Sequence, residues 1–201
     1  MIDKNKSLRE KNKYKKINSM LKAALRLFLE KGFDNTSIEE ITKKSNVAKG
    51  TFYLYFKDKI DIRNKIIVEK SSEIVNKAYA YIKNKTYANR EDQIIDFCDY
   101  IINYLIGHKD MLKLIHKNIS TSLYREVLEE EYEENNIKKA IGELQDQFKD
   151  TYTEEEFMIN LFIILEMVGS VLYSSIIHKE PADIEVIKPY LYNNIRKIVR
   201  S

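Results

Sequence analysis

The sequence predicts an all-α protein in two parts, and three observations predict it. Apolar residues recur at helical spacing in segment after segment, with only five glycines and two prolines to interrupt 201 residues. Hydrophobic residues make up 44% of the chain and charged ones 32%, which is the balance of a globular protein able to bury a sizeable core. The charge is unevenly divided. Residues 1–65 hold 17 Lys/Arg against 8 Asp/Glu, a net +9, while residues 66–201 hold 17 against 23, a net −6. A basic head on a slightly acidic body suggests that the head meets a polyanion and the body does something else. The lone Cys98 excludes an intrachain disulfide and fits a reducing compartment. Residues 1–16 are charged and hold no continuous apolar region, so no signal peptide is expected and the expected location is cytoplasmic.

Residues 1–12 are polar and are expected to fray, with Lys11, Lys13, Lys15 and Lys16 exposed or touching phosphates. Over 14–31 the apolar residues Ile17, Leu21, Ala24 and Phe28 step by 4, 3 and 4, the spacing of an amphipathic helix. Gly32 supplies its C-cap, and Phe33 turns the chain back towards the core. The next helix starts at Thr36-Ser37-Ile38-Glu39-Glu40, where Ser37 with Glu40 and Thr36 with Glu39 fit the capping box equally well. Ile38 and Ile41 face inward, the helix runs to about Ser45, and Asn46 tolerates the left-handed backbone of a sharp turn.

The chain is organised around a short helix predicted over 48–56. Ala48, Phe52 and Phe56 fall on one face, while Gly50 and Leu54 point the opposite way between Lys49 and Tyr53 on one flank and Thr51 and Tyr55 on the other. Solvated helix faces normally carry Glu, Lys or Gln. This one carries groups that hydrogen-bond phosphates and base edges, and a glycine that lets another surface approach closely. Two short helices joined by a tight turn, the second with a polar outer face, make a helix-turn-helix.

These residues resemble a family. Ala24-Leu25, Leu27-Phe28, Lys31-Gly32-Phe33, Thr36-Ser37-Ile38 and Ile41, followed by Val47, Lys49-Gly50-Thr51-Phe52-Tyr53, Tyr55-Phe56 and Lys59, are similar to the signature of TetR/AcrR-type regulators over about residues 14–62. Two positions depart from it: Ala48 stands where a serine is often found, and Asn46 where a glycine is common. The resemblance implies a three-helix DNA-binding domain over 1–58 and a helical effector-binding and dimerisation domain over 59–201. It implies DNA contacts at Ser37, Lys49, Gly50, Thr51, Tyr53, Tyr55 and Lys59. Thr36 joins them because, like Ser37, it sits at a helix start, where backbone N–H groups and hydroxyls favour a phosphate. Tyr53 and Lys59 are expected to hold phosphates, and Lys49, Gly50 and Thr51 to lie at base edges.

The body begins with a long helix opened by Asp58 and running to about Lys83, with Ile67, Ile74, Ala78 and Ile82 along one side. A loop is expected over 84–90. Helices are expected over 91–106 and 109–119, and one long charged helix or two over 122–149, with the acidic run at Glu129-Glu130-Glu131-Tyr132-Glu133-Glu134 on a solvated face or loop. Residues 157–177 form the most apolar segment, but Asn160, Glu166 and several serines argue against a membrane span. A helix apolar nearly all round can instead lie between its own core and a partner chain. After Pro181, the residues Ile184, Ile187, Leu191, Ile195 and Ile198 mark a last helix, which Pro189 either kinks or starts. The resemblance implies that these last two helices form a homodimer interface, which would pair two DNA-reading helices on a pseudo-palindromic operator.

Chemistry of the catalytic kind finds no foothold. His108, His116 and His178 are scattered, none pairs with Cys98 at metal-ligand spacing, and no phosphate loop or nucleophile elbow occurs. No cofactor or metal is expected. The resemblance further implies a small-molecule pocket, for which Phe97, Tyr100, Tyr104, His116, Phe162 and Glu166 are the candidate lining residues. Glu166, a carboxylate in an apolar helix, calls for a partner, which can be a lysine, a tyrosine or a cationic ligand. Fatty acyl, antibiotic and cationic-dye effectors all fit. The expected function is a homodimeric repressor released from DNA by a small-molecule effector. A ligand-independent architectural DNA-binding protein, and a helical enzyme or adaptor that keeps the head as a fold only, are the alternatives.

Overall fold

Short-range hydrogen bonds set where the helices of the head begin and end. The computed structural model describes residues 3–116 and 136–200, with side chains at 8–116 and 141–200, and all regular structure among them is helical. The first helix, α1 (Asp3–Lys31), buries Met20, Leu21, Ala24, Leu27 and Phe28. It starts well before residue 14. Residues 1–31 contain no glycine or proline and many straight-chain lysines, so the polar opening continues the helix instead of fraying. Gly32, at φ +86°, closes α1 by donating its N–H to Phe28 O at 3.0 Å.

Ser37 is the N-cap of α2 (Ile38–Ser45), which decides between the two capping boxes the sequence allows. Its Oγ accepts the Glu40 N–H at 3.2 Å, and Glu40 Oε2 accepts the Ser37 N–H at 2.9 Å. Asn46 then adopts φ 55°, and the Val47 N–H reaches back to Thr42 O at 3.0 Å. The third helix, α3 (Lys49–Tyr53), is shorter than the 48–56 the sequence predicts. The chain has to break there because a new N-cap comes next: Asp58 Oδ1 accepts the N–H groups of Ile60 at 2.7 Å and Asp61 at 2.8 Å. That cap opens α4 (Lys59–Ile82).

Two compact units divide between Ile66 and Ile67, inside α4 and beyond the 58/59 boundary drawn from the sequence. The first turns of α4 belong with the head for a visible reason. Lys59 Nζ and the Arg63 guanidinium lie 4.4 Å and 4.5 Å from the Phe33 ring centroid, and Ile62 and Ile66 are buried.

The second unit takes up the rest of α4 and adds α5 (Arg90–Gly107), α6 (Lys109–Ile115), α7 (Asn136–Phe148), α8 (Glu154–Tyr173) and α9 (Ile184–Arg200). The end of the helix expected over 109–119, the first half of that expected over 122–149 and the acidic run Glu129–Glu134 lie outside the described residues. Asn89 caps α5 by accepting the Asp92 N–H at 2.8 Å, and Thr153 with Glu156 forms a second capping box at α8. A single π-helical turn, Ser174–His178, continues α8. The core joins Ile67 and Ile74 of α4 to Ile102 and Leu105 of α5, Leu112 and Ile115 of α6, Leu172 of α8 and Leu191 and Ile195 of α9.

Helices α5 and α9 run antiparallel and are laced by polar groups along their length. Arg200 Nε meets Glu91 Oε1 at 2.9 Å, Arg196 meets Asp92 at 3.0 Å, Tyr192 donates to Asp99, and Lys188 Nζ donates to Asn103 Oδ1 at 2.8 Å. Pro189 lies inside α9, on its exposed side, so the Glu185 carbonyl it leaves without a helical donor faces solvent. The stretch Glu154–His178 is long and apolar enough to cross a membrane by length and composition. One face of α8 packs inward through Phe157, Gly169 and Leu172, while Ile159, Phe162 and Ile163 share the exposed face with Glu155 and Glu166. Carboxylates on the outer face suit water or a partner protein, not lipid.

Candidate nucleic-acid interface and body cavity

In the head, α3 is anchored from behind and open in front. Phe52 is fully buried and Phe56 nearly so, their rings 5.5 Å apart, while Lys49, Gly50, Tyr53 and Leu54 are exposed and Thr51 and Tyr55 half-exposed. Tyr53 is 52% exposed and Leu54 77%. A Cβ built on Gly50 would meet nothing within 4 Å, so the head's own packing does not require a glycine there. The cations divide in the same way. Lys31 pairs with Glu40, and Arg26 and Lys44 meet Glu30 at 2.6 and 3.1 Å, whereas Lys49 and Lys57 have no carboxylate partner among the described residues. The unpaired lysines thus flank the α3 face, where they are available to an anion. Glu40 itself is committed: the Lys31 ammonium, and then the Ser37 N–H and hydroxyl, hold its carboxyl down at about 2.

Two of the residues expected at the interface have other work in this structure. Thr36 is buried, and its hydroxyl donates to Gly32 O at 2.8 Å. It ties the α1–α2 turn together and turns its polar group away from the surface. The Lys59 ammonium donates to Phe33 O at 2.8 Å and Asp34 O at 3.3 Å over the Phe33 ring, which leaves one of its three N–H groups for anything else. Ser37 stays exposed at the start of α2. The contact set read from the sequence omits Leu54, although helical phase puts that residue on the outer face. Its large exposed apolar side chain beside Tyr53 is the signal that singles it out.

In the body, helices α4 to α9 line a cavity of about 180 Å³. Ile74 and Val75 of α4, Ile94 and Ile101 of α5, Leu144 of α7 and Leu161, Ile164 and Val168 of α8 make its wall largely apolar. The polar side chains on the wall are Ser71, Tyr79, Gln93, His116, Gln147, Tyr152 and Asn160. Tyr152 donates to Ile198 O at 2.6 Å, and a hydrogen bond to Glu143 raises the Tyr79 hydroxyl's pKa. His116 Nδ1 lies 3.0 Å from Lys113 O, which can only accept, so this nitrogen carries the proton; the ring stacks on Tyr173 at 3.6 Å. Cys98 also lines the cavity, where burial pushes its thiol up to about 12 and makes it a packing group, not a nucleophile.

Of the six pocket residues expected from the sequence, Phe97 and His116 are on this wall. Tyr100 packs on Tyr81 with ring centroids 5.0 Å apart, and Tyr104 stacks on His108 at 4.1 Å. Phe162 and Glu166 lie on the exposed face of α8, so neither reaches the cavity. Helical rotation explains the error: Phe157, Asn160, Leu161, Ile164 and Val168 share the inward face, and 162 and 166 fall nearly opposite. No group of three or more potential metal ligands occurs among the described residues.

A trihelical head with an outward, basic and hydroxyl-bearing third helix, joined to a helical body that contains a cavity, defines a helix-turn-helix transcriptional regulator. The family model for bacterial regulatory proteins of the tetR family matches residues 20–66, the buried frame and outward face of the head. The "Uncharacterized HTH-type transcriptional regulator YvdT" of Bacillus subtilis (strain 168) is 32% identical over 140 residues, covering 65% of this chain and 68% of that protein. The HTH-type transcriptional regulator SA2364 of Staphylococcus aureus (strain N315) is 26% identical over 173 residues, 85% of this chain and 86% of its own. A TetR-family regulator (SCO0857) from Streptomyces coelicolor A3 shares the fold at a TM-score of 0.58 and 14% identity, over 94% of this chain and 96% of its own. FadR from Bacillus subtilis, solved with stearoyl-CoA, does so at 0.52 and 18%, over 88% and 96%. The chain belongs to the TetR family of transcriptional regulators, and it is not an enzyme.

Proposed function

We propose that this chain is a homodimeric repressor that binds a pseudo-palindromic operator through α3 of each copy and is released when a small apolar molecule occupies the body cavity. The observation that carries this reading is the outer face of α3, where Lys49, Gly50, Thr51, Tyr53 and Tyr55 stand over a buried Phe52–Phe56 anchor. Lys49 and Thr51 read base edges, Gly50 admits the close approach, and Tyr53, Tyr55 and Ser37 hold phosphates. Leu54 adds an apolar contact of the kind that fits a thymine methyl group. Lys59 contributes its one remaining N–H, and Thr36 drops out of the contact set.

The exposed apolar residues of α8 support a two-fold dimer, as does family membership. The largely apolar cavity supports an effector with an apolar body, and FadR, of the same fold, is solved with a ligand that carries a long alkyl chain, stearoyl-CoA. A coupling of about 1–3 kcal/mol between effector and operator would change occupancy roughly 5- to 150-fold. Acting on genomic DNA places the protein in the cytoplasm.

Selection of bound fragments from the source genome at two salt concentrations tests the reading. A recovered palindrome whose affinity falls with salt is the expected result. Uniform recovery of all fragments with one salt slope would refute operator-specific repression and leave an architectural DNA-binding protein.

A further inference from the structure

The cavity contains a polar atom that the fold leaves unanswered. Ser71, on α4 and on the cavity wall, is 1% exposed, and its Oγ has no hydrogen-bond partner among the described residues. A serine inside a helix ordinarily satisfies itself on its own preceding turn, as Ser45 does here by donating to Ile41 O at 2.8 Å and Ser19 to Lys16 O at 2.8 Å. Ser71 does not. Burying a hydroxyl without a partner costs stability, so such a group calls for an explanation at its own position. Among the described residues two other side-chain atoms are buried and unpartnered, Arg63 Nε and Ser175 Oγ, but neither residue lines the cavity.

The wall also lacks something. Among the described residues that line it there is no lysine, arginine, aspartate or glutamate; the polar groups are hydroxyls, amides and one imidazole. A charged group held against this wall would lose much of its hydration without meeting a formal counter-charge among the described residues, at a cost that neutral hydrogen-bonding groups only partly offset. An uncharged ligand loses little. The wall is also long, since α8 contributes residues from Phe157 to Leu172, about 22 Å at helical rise.

We propose that the effector is an uncharged, elongated apolar molecule carrying a hydroxyl or carbonyl group, and that Ser71 is the residue that hydrogen-bonds that group. The proposal rests on the cavity being the effector site. It narrows the ligand class to neutral molecules and sets aside cationic dyes and free carboxylates.

Displacement of the neutral dye Nile red from the full-length protein at neutral pH tests it, with three competitors that share one alkyl chain: decanol, decanoate and decyltrimethylammonium. Decanol is expected to compete at least about tenfold more strongly than either ion. Ser71→Ala is expected to weaken decanol roughly three- to tenfold, the worth of one hydrogen bond, after competition is corrected for the variant's own directly titrated affinity for Nile red, whose carbonyl Ser71 can also meet. The same variant should unfold at the same or a higher temperature than the wild type, because it removes an unpartnered hydroxyl. Tighter binding of either ion would overturn the neutral class while leaving the cavity as the effector site. Unchanged decanol affinity in Ser71→Ala, or a clear loss of stability, would overturn the role of Ser71. No binding of Nile red or any competitor would overturn the cavity reading itself.

Discussion

Gly50 sits exposed inside α3, and a methyl group in its place would touch no neighbouring atom within 4 Å. Alanine is therefore accommodated, and by helix propensity it stabilises the folded state by up to roughly 1 kcal/mol. The expected outcome for Gly50→Ala is a thermal midpoint equal to or above that of the wild type, together with operator binding weakened about tenfold because the new methyl holds the backbone off the DNA. Calorimetry and a mobility-shift titration on the selected operator fragment check both halves; unchanged affinity would mean that the glycine serves no partner. Tyr53→Ala should weaken binding to operator and random DNA alike, and Thr51→Ala should mainly narrow the gap between them. Equal losses on both DNAs for both variants would count against these roles. Residues on the outward face of α3 are legible from the sequence because their helical phase sets them against Phe52 and Phe56. Thr36 is not, since a threonine one position before the true N-cap reads the same as a cap until its hydroxyl is seen to donate to Gly32 O.

Among the elements, α2 depends most visibly on a single local device. Its N-cap box satisfies the Glu40 N–H through Ser37 Oγ and the Ser37 N–H through Glu40, and the Lys31 ammonium closes on the same carboxylate. Ser37→Ala should cost about 1 kcal/mol of head stability by chemical denaturation. Acid should act through Glu40. Its folded-state pKa of about 2 lies below the ordinary glutamate value of 4.5, so its contribution is complete above about 4.5 and is lost as pH falls towards 2. Glu40→Gln keeps the capping geometry but not the charge, so its deficit against the wild type should be constant near neutrality and should shrink between about pH 4.5 and 2. High salt should reduce the deficit, because the pair is exposed. A deficit independent of pH would assign the effect to shape alone. The caps, the αL turn at Asn46 and the inward faces can be read from spacing, because they are local. The lacing of α5 to α9, from Glu91 with Arg200 to Asn103 with Lys188, cannot: it joins residues far apart in sequence that look like ordinary surface charges until two helices are set antiparallel. The same limit explains the pocket, whose wall combines residues from six helices.

At the scale of the whole molecule, one helix face stands out among the described residues for its exposed apolar side chains. Helix α8 exposes Ile159 at 51% and Ile163 at 45%, one turn apart, with Phe162 between them, on a chain that otherwise places most of its aliphatic residues inside. Isolated exposed apolar residues are ordinary, but a contiguous stripe on one helix face marks an interaction surface. A second copy is the occupant that family membership favours, and a two-fold axis lets the same stripe serve both partners. The two carboxylates at its margins, Glu155 and Glu166, suit the polar rim of such an interface. Lysines at Ile159 and Ile163 together should leave the fold of each chain intact, since both side chains are already in solvent, but should place like charges face to face in the dimer. Sedimentation velocity at micromolar concentration is expected to show a wild-type dimer and a variant monomer with unchanged helical content. Because two heads joined on one operator bind far more tightly than one, the monomer should lose most of its affinity for the palindrome while its affinity for a single half-site stays the same. A variant that remains a dimer with full operator affinity would move the interface off this face of α8, and a wild type that sediments as a monomer would remove the dimer altogether.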